Sequence, residues 1–106
     1  IRSAGEWEAI LQKVRKDAGL EVHHLIERRF AERLGLRKSE IPAVVLDREF
    51  HQHEVTARLF SRLPTNRAKF EPQEIWNVYK DVYGALGHED WLEAIWPYFA
   101  RLGVQR

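Results

Sequence analysis

Apolar residues recur at helical spacing near both ends of the chain. Trp7, Ile10, Leu11 and Val14 follow one another at three- and four-residue intervals, which predicts an amphipathic helix over residues 5–18. Two further stripes predict helices over residues 73–86 and about 89–102, and their members are expected to form the core. The stripes consist of Trp76, Tyr79, Val82, Tyr83 and Leu86 in the first helix, and Trp91, Leu92, Ile95, Trp96 and Phe99 in the second.

In the first half of the chain the helical pattern gives way to short apolar runs. The stretch LEVHHLI, residues 20–26, is rich in Val, Ile and Leu and too short for a confident helix, so it predicts an extended segment. The arginine-rich residues 27–34 that follow predict a helix, and Gly35 supplies its stop signal.

A second short strand and a helix are predicted immediately afterwards. Pro42 favours extended backbone before it, and the run AVVL at residues 43–46 predicts a brief buried strand. Asp47 is then placed to cap a helix that runs to about Leu63, before a polar, basic linker over residues 64–72. The expected fold class is α+β and predominantly helical, with a small strand–strand–helix unit flanked by helices on both sides.

Composition narrows the classes of protein. A chain of 106 residues is expected to form one domain, 1–106, and without cysteine it cannot hold disulfides or thiolate zinc sites. No apolar stretch approaches the roughly 20 residues that span a bilayer, so no membrane insertion is expected. The chain starts at Ile1 and contains no methionine, which favours a piece of a longer polypeptide. With a net charge of +1, any affinity for nucleic acid depends on local charge clusters.

Four of the five histidines lie in two tight clusters, each where an extended segment meets a helix. His23 and His24 are adjacent, so on a strand their rings point to opposite faces. His51 follows Asp47 by about one helical turn, so an imidazole, a carboxylate and helix amides could face one point, where a divalent ion with phosphate oxygens would fit. For any single histidine a solvated or hydrogen-bonded ring is the simpler interpretation, but the clustering favours a site.

The residues of both clusters resemble a known family. VHHLIERRF followed by IPAVVLDREFHQHEVT is similar to the HNH (ββα-metal, treble-clef-like) endonuclease superfamily, particularly the C-terminal nuclease toxin domains of bacterial polymorphic and contact-dependent toxins. The similarity covers about residues 20–60, within a motif core of about 20–63. It implies that His24 is the general base and that His23 and His51 are metal ligands. The chain departs from the family where many members have a base-orienting asparagine, near Pro42, and where a second helix histidine would fall on Val55.

The resemblance also implies a reaction and its setting. A divalent ion, Mg²⁺ or Zn²⁺, would assist His24 in hydrolysing phosphodiester bonds of DNA or RNA. The domain would be secreted or delivered from the producing bacterium, act in the target-cell cytoplasm and bind a cognate immunity protein. His53 should point away from His51 on a helix. Supporting roles are open to Glu27, Asp47, Gln52, His53 and Thr56.

Basic residues flank both histidine clusters. If they bind phosphate, the candidates are Arg28, Arg29, Arg33 and Arg37 with Lys38 near the first cluster, and Arg58 and Arg62 with Arg67 and Lys69 near the second. A solvated helix face would explain the same pattern. Three hypotheses therefore follow: a metal-dependent nuclease, a non-catalytic helical interaction module with incidental histidines, and a domain with a structural zinc ion.

Overall fold

A three-stranded antiparallel sheet and four helices make up the described part of the chain. The computed structural model describes residues 1–14, 18–63 and 70–106. Its strands are β1 (Arg2–Ser3), β2 (Leu20–His24) and β3 (Pro42–Asp47), in the order β1-β3-β2. The α+β, predominantly helical fold class is therefore confirmed. In the register His24 lies opposite Ala43 and Glu21 opposite Leu46, so both adjacent histidines lie at the end of an edge strand.

The helices follow the predicted order, but the predicted helix over residues 27–34 is reduced to a 3-10 turn and the helix after β3 is partly π-helical. They are α1 (Ala4–Leu11), α2 (Ala57–Arg62), α3 (Pro72–Ala85) and α4 (Glu89–Ala100), and short 3-10 turns cover Arg28–Phe30 and Lys38–Glu40. The predictions of helices over 73–86 and 89–102 are confirmed to within two residues at each end. The helix after β3 is also confirmed, although its stretch Phe50–Thr56, directly before α2, is π-helical. Strands β2 and β3 with this helix form the expected strand–strand–helix unit.

The prediction that Asp47 caps the helix after β3 is also confirmed. Its Oδ2 accepts hydrogen bonds from the backbone amides of Glu49 at 3.1 Å and Phe50 at 3.3 Å. Amides at a helix start have no partner within the helix, so this carboxylate satisfies two of them. The cap fixes where the helix leaves the sheet and hence where His51 lies.

The core lies between α3, α4 and residues 25–36. The side chains of the two predicted stripes are buried, including Trp76, Tyr79 and Tyr83, whereas Leu86 and Trp96 are only partly buried. Deep burial of such large side chains is the main favourable contribution to the stability of the fold. Their prediction as core residues is confirmed.

The predicted helix over residues 27–34 is wrong. Only Arg28–Phe30 is helical, as one 3-10 turn, and hydrogen-bonded turns follow to Gly35. The backbone before it is bonded to α3 instead: the Tyr83 hydroxyl donates to the Leu25 carbonyl at 2.8 Å, and the Glu27 amide donates to the Tyr79 hydroxyl at 2.8 Å. These tertiary hydrogen bonds override the local helix propensity of the arginine-rich stretch.

The first helix is shorter and less buried than its apolar pattern predicts. It ends at Leu11, and Ile10 and Val14 are exposed rather than packed in the core. The helix packs on the sheet through the buried Ala4 and through Trp7, whose Nε1 donates a hydrogen bond to the Ala43 carbonyl at 2.9 Å. No residue over 12–14 is buried, so packing gives a longer helix no support.

Parts of two sequence predictions lie outside the described residues. These are residues 15–17 of the first predicted helix and residues 64–69 of the basic linker, with Arg67 and Lys69. Within the described ranges, no helix has the length and apolar character needed to cross a membrane.

Candidate metal-binding and catalytic site

The His23 ring is held between the helix after β3 and the core. It is only 4% exposed, with Nδ1 3.1 Å from His51 Nε2 and Nε2 2.9 Å from the Tyr83 hydroxyl oxygen. The single hydroxyl hydrogen of Tyr83 is donated to the Leu25 carbonyl, which can only accept. The Tyr83 oxygen must therefore accept from His23, so Nε2 of His23 carries the hydrogen and Nδ1 of the neutral ring is a lone pair.

The His51 ring is oriented in the same way by a carboxylate. Its Nδ1 lies 2.7 Å from Glu21 Oε2, so Nδ1 carries the hydrogen that this carboxylate accepts. The Glu21 carboxylate is itself fixed, because Oε1 accepts hydrogen bonds from Gln52 Nε2 and Arg48 Nε, both at 3.1 Å. Nε2 of a neutral His51 is then a lone pair directed at His23.

Two neutral imidazoles would thus direct two lone pairs at each other across 3.1 Å. This arrangement is repulsive unless a cation lies between them, either a proton on one ring or a metal ion bound by both. Burial, together with the nearby charges of His51 and His24, lowers the pKa of His23 to about 3, so His23 does not take a second proton near neutral pH. The contact therefore requires a cation that the two rings share, either a proton or a metal ion.

A divalent metal ion bound by both nitrogens would have to lie to one side of the line that joins them. Metal–nitrogen bonds of about 2.0–2.1 Å are longer than half of the 3.1 Å gap, so each ring would have to turn its lone pair off that line to bind one ion. The second nitrogen of each ring is bonded to a carboxylate or hydroxyl, the outer partners that orient metal-binding histidines in proteins. Among the described residues no group of three or more His, Cys, Asp or Glu could hold an ion, so other ligands would be water or substrate oxygens.

His24 points away from this pair and toward an open cavity. Its ring makes no hydrogen bond or ion pair with any residue that the structure describes. Partial burial lowers its pKa, as does the positive charge of Arg28, whereas Glu8 acts in the opposite direction. At neutral pH the ring is therefore an uncharged and unengaged imidazole.

The cavity in front of His24 has a volume of about 940 Å³, within the range of sites that bind small ligands. Both ligand candidates, His23 and His51, reach its wall. Its other polar lining side chains are Glu8, His24, Glu27, Arg28, Arg29, Lys38 and Thr56. Arg28 and Lys38 make no ion pair with a described residue, while Arg29 is bonded to Glu27 at 2.6 Å. Two cations without an ion pair to a described residue, and the Glu8 carboxylate, thus lie beside a neutral imidazole.

The π-helical segment explains how Thr56 reaches this cavity. In an α-helix, residues five apart are about 140° apart around the axis, so His51 and Thr56 would face different directions. Bonding from residue i to i+5 in Phe50–Thr56 winds the chain more loosely, and both residues line the cavity. The sequence did not indicate this departure from α-helical geometry.

Other predicted site residues lie elsewhere. Asp47 is used as the helix cap rather than beside His51, and His53 is exposed without a described partner. Four of the six predicted phosphate-binding arginines do not line the cavity. Arg37 is paired with Glu40, Arg58 with Glu54, Arg62 with Asp81, and Arg33 lies over the Phe70 ring.

The sequence analysis missed three residues of the site. Glu21 orients His51 and precedes His23 by two residues, so strand periodicity places both side chains on one face of β2. Tyr83 was assigned to the core alone, because its helical spacing gives no sign of its bond to His23. Glu8 reaches the cavity from α1, a contact that only the tertiary fold reveals.

Comparison with known proteins leaves the site to be interpreted from its geometry. The chain matches no family model, no curated protein and no solved structure.

Proposed function

We propose that this domain is a metal-dependent endonuclease that hydrolyses phosphodiester bonds of nucleic acid. The observation that carries the proposal is the pair of ring nitrogens on His23 and His51, which lie 3.1 Å apart at the wall of the cavity that His24 also lines. Arg28 and Lys38 lie in the same cavity without an ion pair to any described residue, and they supply positive charge for a polyanionic substrate.

His23 and His51 would hold the ion, and Glu21 and Tyr83 would keep their rings in the ligand tautomers. A divalent ion there supplies Lewis-acid stabilisation of the negative charge on the phosphate and on the leaving oxygen. His24 acts as the general base, because its lowered pKa leaves it neutral and able to accept the proton of the attacking water.

Strand alternation explains why the two histidines are adjacent. Consecutive residues on β2 point to opposite faces, so one ring can be buried among fixed partners while the next stays open to substrate. His23 is 4% exposed with both nitrogens engaged, whereas His24 is half-buried and unengaged. A metal ligand needs a ring held in place by its partners, whereas a general base needs a ring that the substrate can reach.

The biological setting is part of the proposal and rests on the resemblance over residues 20–60. Similarity to nuclease toxin domains supports an effector that is delivered into a target cell and neutralised by an immunity protein in the producer. The cleavage test below would also identify the native metal, Mg²⁺ or Zn²⁺, and the nucleic acid that is cleaved, DNA or RNA.

The direct test measures cleavage and metal binding separately. Wild-type protein should cleave plasmid DNA or transfer RNA with added Mg²⁺ or Zn²⁺, and His24→Ala should lose about 10²- to 10⁴-fold in rate while retaining metal-linked thermal stabilisation. His51→Ala should lose both. The matched control is His88→Ala, since His88 stacks on Trp91 outside the cavity and should keep both properties.

Two results would contradict the proposal. Full activity of His24→Ala would show that another group is the base. Metal-linked stabilisation with no cleavage of either substrate would favour a structural metal site in a non-catalytic module.

A further inference from the structure

An exposed aromatic side chain lies at the cavity and has no role in the chemistry described above. The Phe60 side chain is 74% exposed, the highest fraction among the large hydrophobic residues that the structure describes. It lies on α2, where its neighbours Arg58, Ser61 and Arg62 are polar and exposed, as is usual on the outer face of a helix. Leaving a phenylalanine in water forgoes the favourable free energy of burying it, so this position differs from its surroundings.

Phe60 belongs to the same cavity as the proposed base. It lines the wall together with His24, and Thr56 lies one turn earlier on the helix. The other exposed large hydrophobic side chains, Ile1, Ile10, Val14, Leu20 and Leu102, do not line this cavity. Phe60 is therefore a single aromatic surface beside the site rather than part of an apolar patch.

We infer that Phe60 is a stacking platform for an unpaired base next to the scissile phosphate, and that the substrate is single-stranded nucleic acid. The inference rests on the proposed nuclease function and specifies its substrate class. A protein partner would need a contiguous apolar surface. One aromatic ring in the same cavity as the cations Arg28 and Lys38 instead matches the two parts of a nucleotide, a flat base and a charged phosphate.

The preference for a single strand over a duplex follows from whether the flat faces of a base are accessible to Phe60. Within a duplex each base is covered by its neighbours above and below, so an aromatic side chain outside the helix cannot stack on it. In a single strand the base can turn out and lie on the Phe60 ring while its phosphate contacts the cations. Stacking is tolerant of sequence because every base has a π-face, so Phe60 should select strandedness rather than a particular base.

This inference can be tested by measuring nucleic-acid binding to a variant that does not cleave its substrate. In a His24→Ala background, affinity would be measured by fluorescence anisotropy for a short single strand containing 2-aminopurine, and for the same strand annealed to its complement. DNA and RNA versions of both probes distinguish the two kinds of strand. The single strands should bind more tightly than the duplexes, and 2-aminopurine emission should change on binding because the base stacks on the ring.

Phe60→Ala should weaken single-strand binding by roughly 5- to 150-fold, change duplex binding less than twofold and abolish the emission change. Phe60→Trp should restore all three, since it keeps an aromatic face. The matched control is Leu102→Ala, which removes another exposed hydrophobic side chain outside the cavity and should bind like the parent. Both alanine variants should fold, because each replaces an exposed side chain.

The outcomes separate this inference from the nuclease proposal. Unchanged single-strand affinity of Phe60→Ala, or equal losses on single strand and duplex, would overturn the stacking role. If wild-type protein nevertheless cleaved both forms with added metal, the nuclease proposal would stand alone. Phe60-dependent preference for single strands without any cleavage would support the stacking site and overturn the nuclease.

Discussion

Tyr83→Phe is the sharpest test of the two-histidine site, because it removes one oxygen atom that fixes the His23 tautomer. The hydroxyl accepts from His23 Nε2 at 2.9 Å and donates to the Leu25 carbonyl at 2.8 Å. Phenylalanine keeps the packing of the ring but leaves a buried donor and a buried acceptor without partners. At about 1–3 kcal/mol for each group, the free energy of unfolding should fall by roughly 2–6 kcal/mol.

The effect on metal binding should be separate from this loss of stability. Without its acceptor, Nε2 of His23 has nothing to hold the hydrogen there, and the ring can place the hydrogen on Nδ1, the nitrogen needed for the metal. Loss of such an outer partner typically lowers metal affinity 10- to 100-fold. Calorimetric titration with Zn²⁺ at a temperature where the variant is folded would measure this change.

Tyr79→Phe is the matched control, one helical turn away in the same core. Tyr79 stacks on Tyr83 and is equally buried, but its hydroxyl accepts from the Glu27 amide rather than from a histidine. It should lower the free energy of unfolding by about 1–3 kcal/mol and leave Zn²⁺ affinity unchanged. Equal losses of affinity in both variants, or none in Tyr83→Phe, would refute the argument from hydrogen-bond donors.

Two further predictions concern charge and pH. In a His24→Ala background, Arg28→Gln with Lys38→Gln should flatten the salt dependence of single-strand binding by about 1.4 log units of affinity per log unit of salt. The control Arg33→Gln with Arg37→Gln removes the same charge outside the cavity and should leave the slope unchanged. Identical slopes would mean that the cavity cations do not contact phosphate. Burial raises the pKa of Tyr79 and of Tyr83 above the usual 10. Their contribution to the free energy of unfolding is therefore complete below pH 10 and is lost as the pH rises further, by up to about 1.36 kcal/mol per pH unit for each tyrosine. Urea unfolding between about pH 9 and 11 should therefore show a shallower decline for Tyr79→Phe than for wild type, and parallel declines would contradict the burial argument.

The features that sequence predicted well are those governed by local pattern. The helices α3 and α4 have full apolar stripes, and Asp47 is a strong capping residue between an apolar run and a helix. The failures have tertiary causes. Residues 27–34 look helical, yet Tyr79 and Tyr83 bind the backbone of Glu27 and Leu25 from more than 50 residues away.

The same distinction applies to the site. The spacing of His23, His24 and His51 within two strands and a helix could be recognised from the residues alone, because β2, β3 and the following helix are consecutive. The partners that set the tautomers could not, since Tyr83 comes from α3, 60 residues from His23. Neither could the choice among the arginines, which depends on ion pairs such as Arg62 with Asp81.

The position of the two histidines would couple binding of the proposed cation to the fold. Strand β2 is an edge strand, hydrogen-bonded to β3 on one side only, and the His23 side chain on it contacts both the His51 ring of the π-helical segment and the Tyr83 hydroxyl of α3. The proposed cation between the rings would add to the link that Glu21 already makes from this strand to His51 and Gln52 of the helix that carries Thr56. Binding of the proposed ion should therefore strengthen the contact between β2 and this helix and raise the thermal stability of the domain.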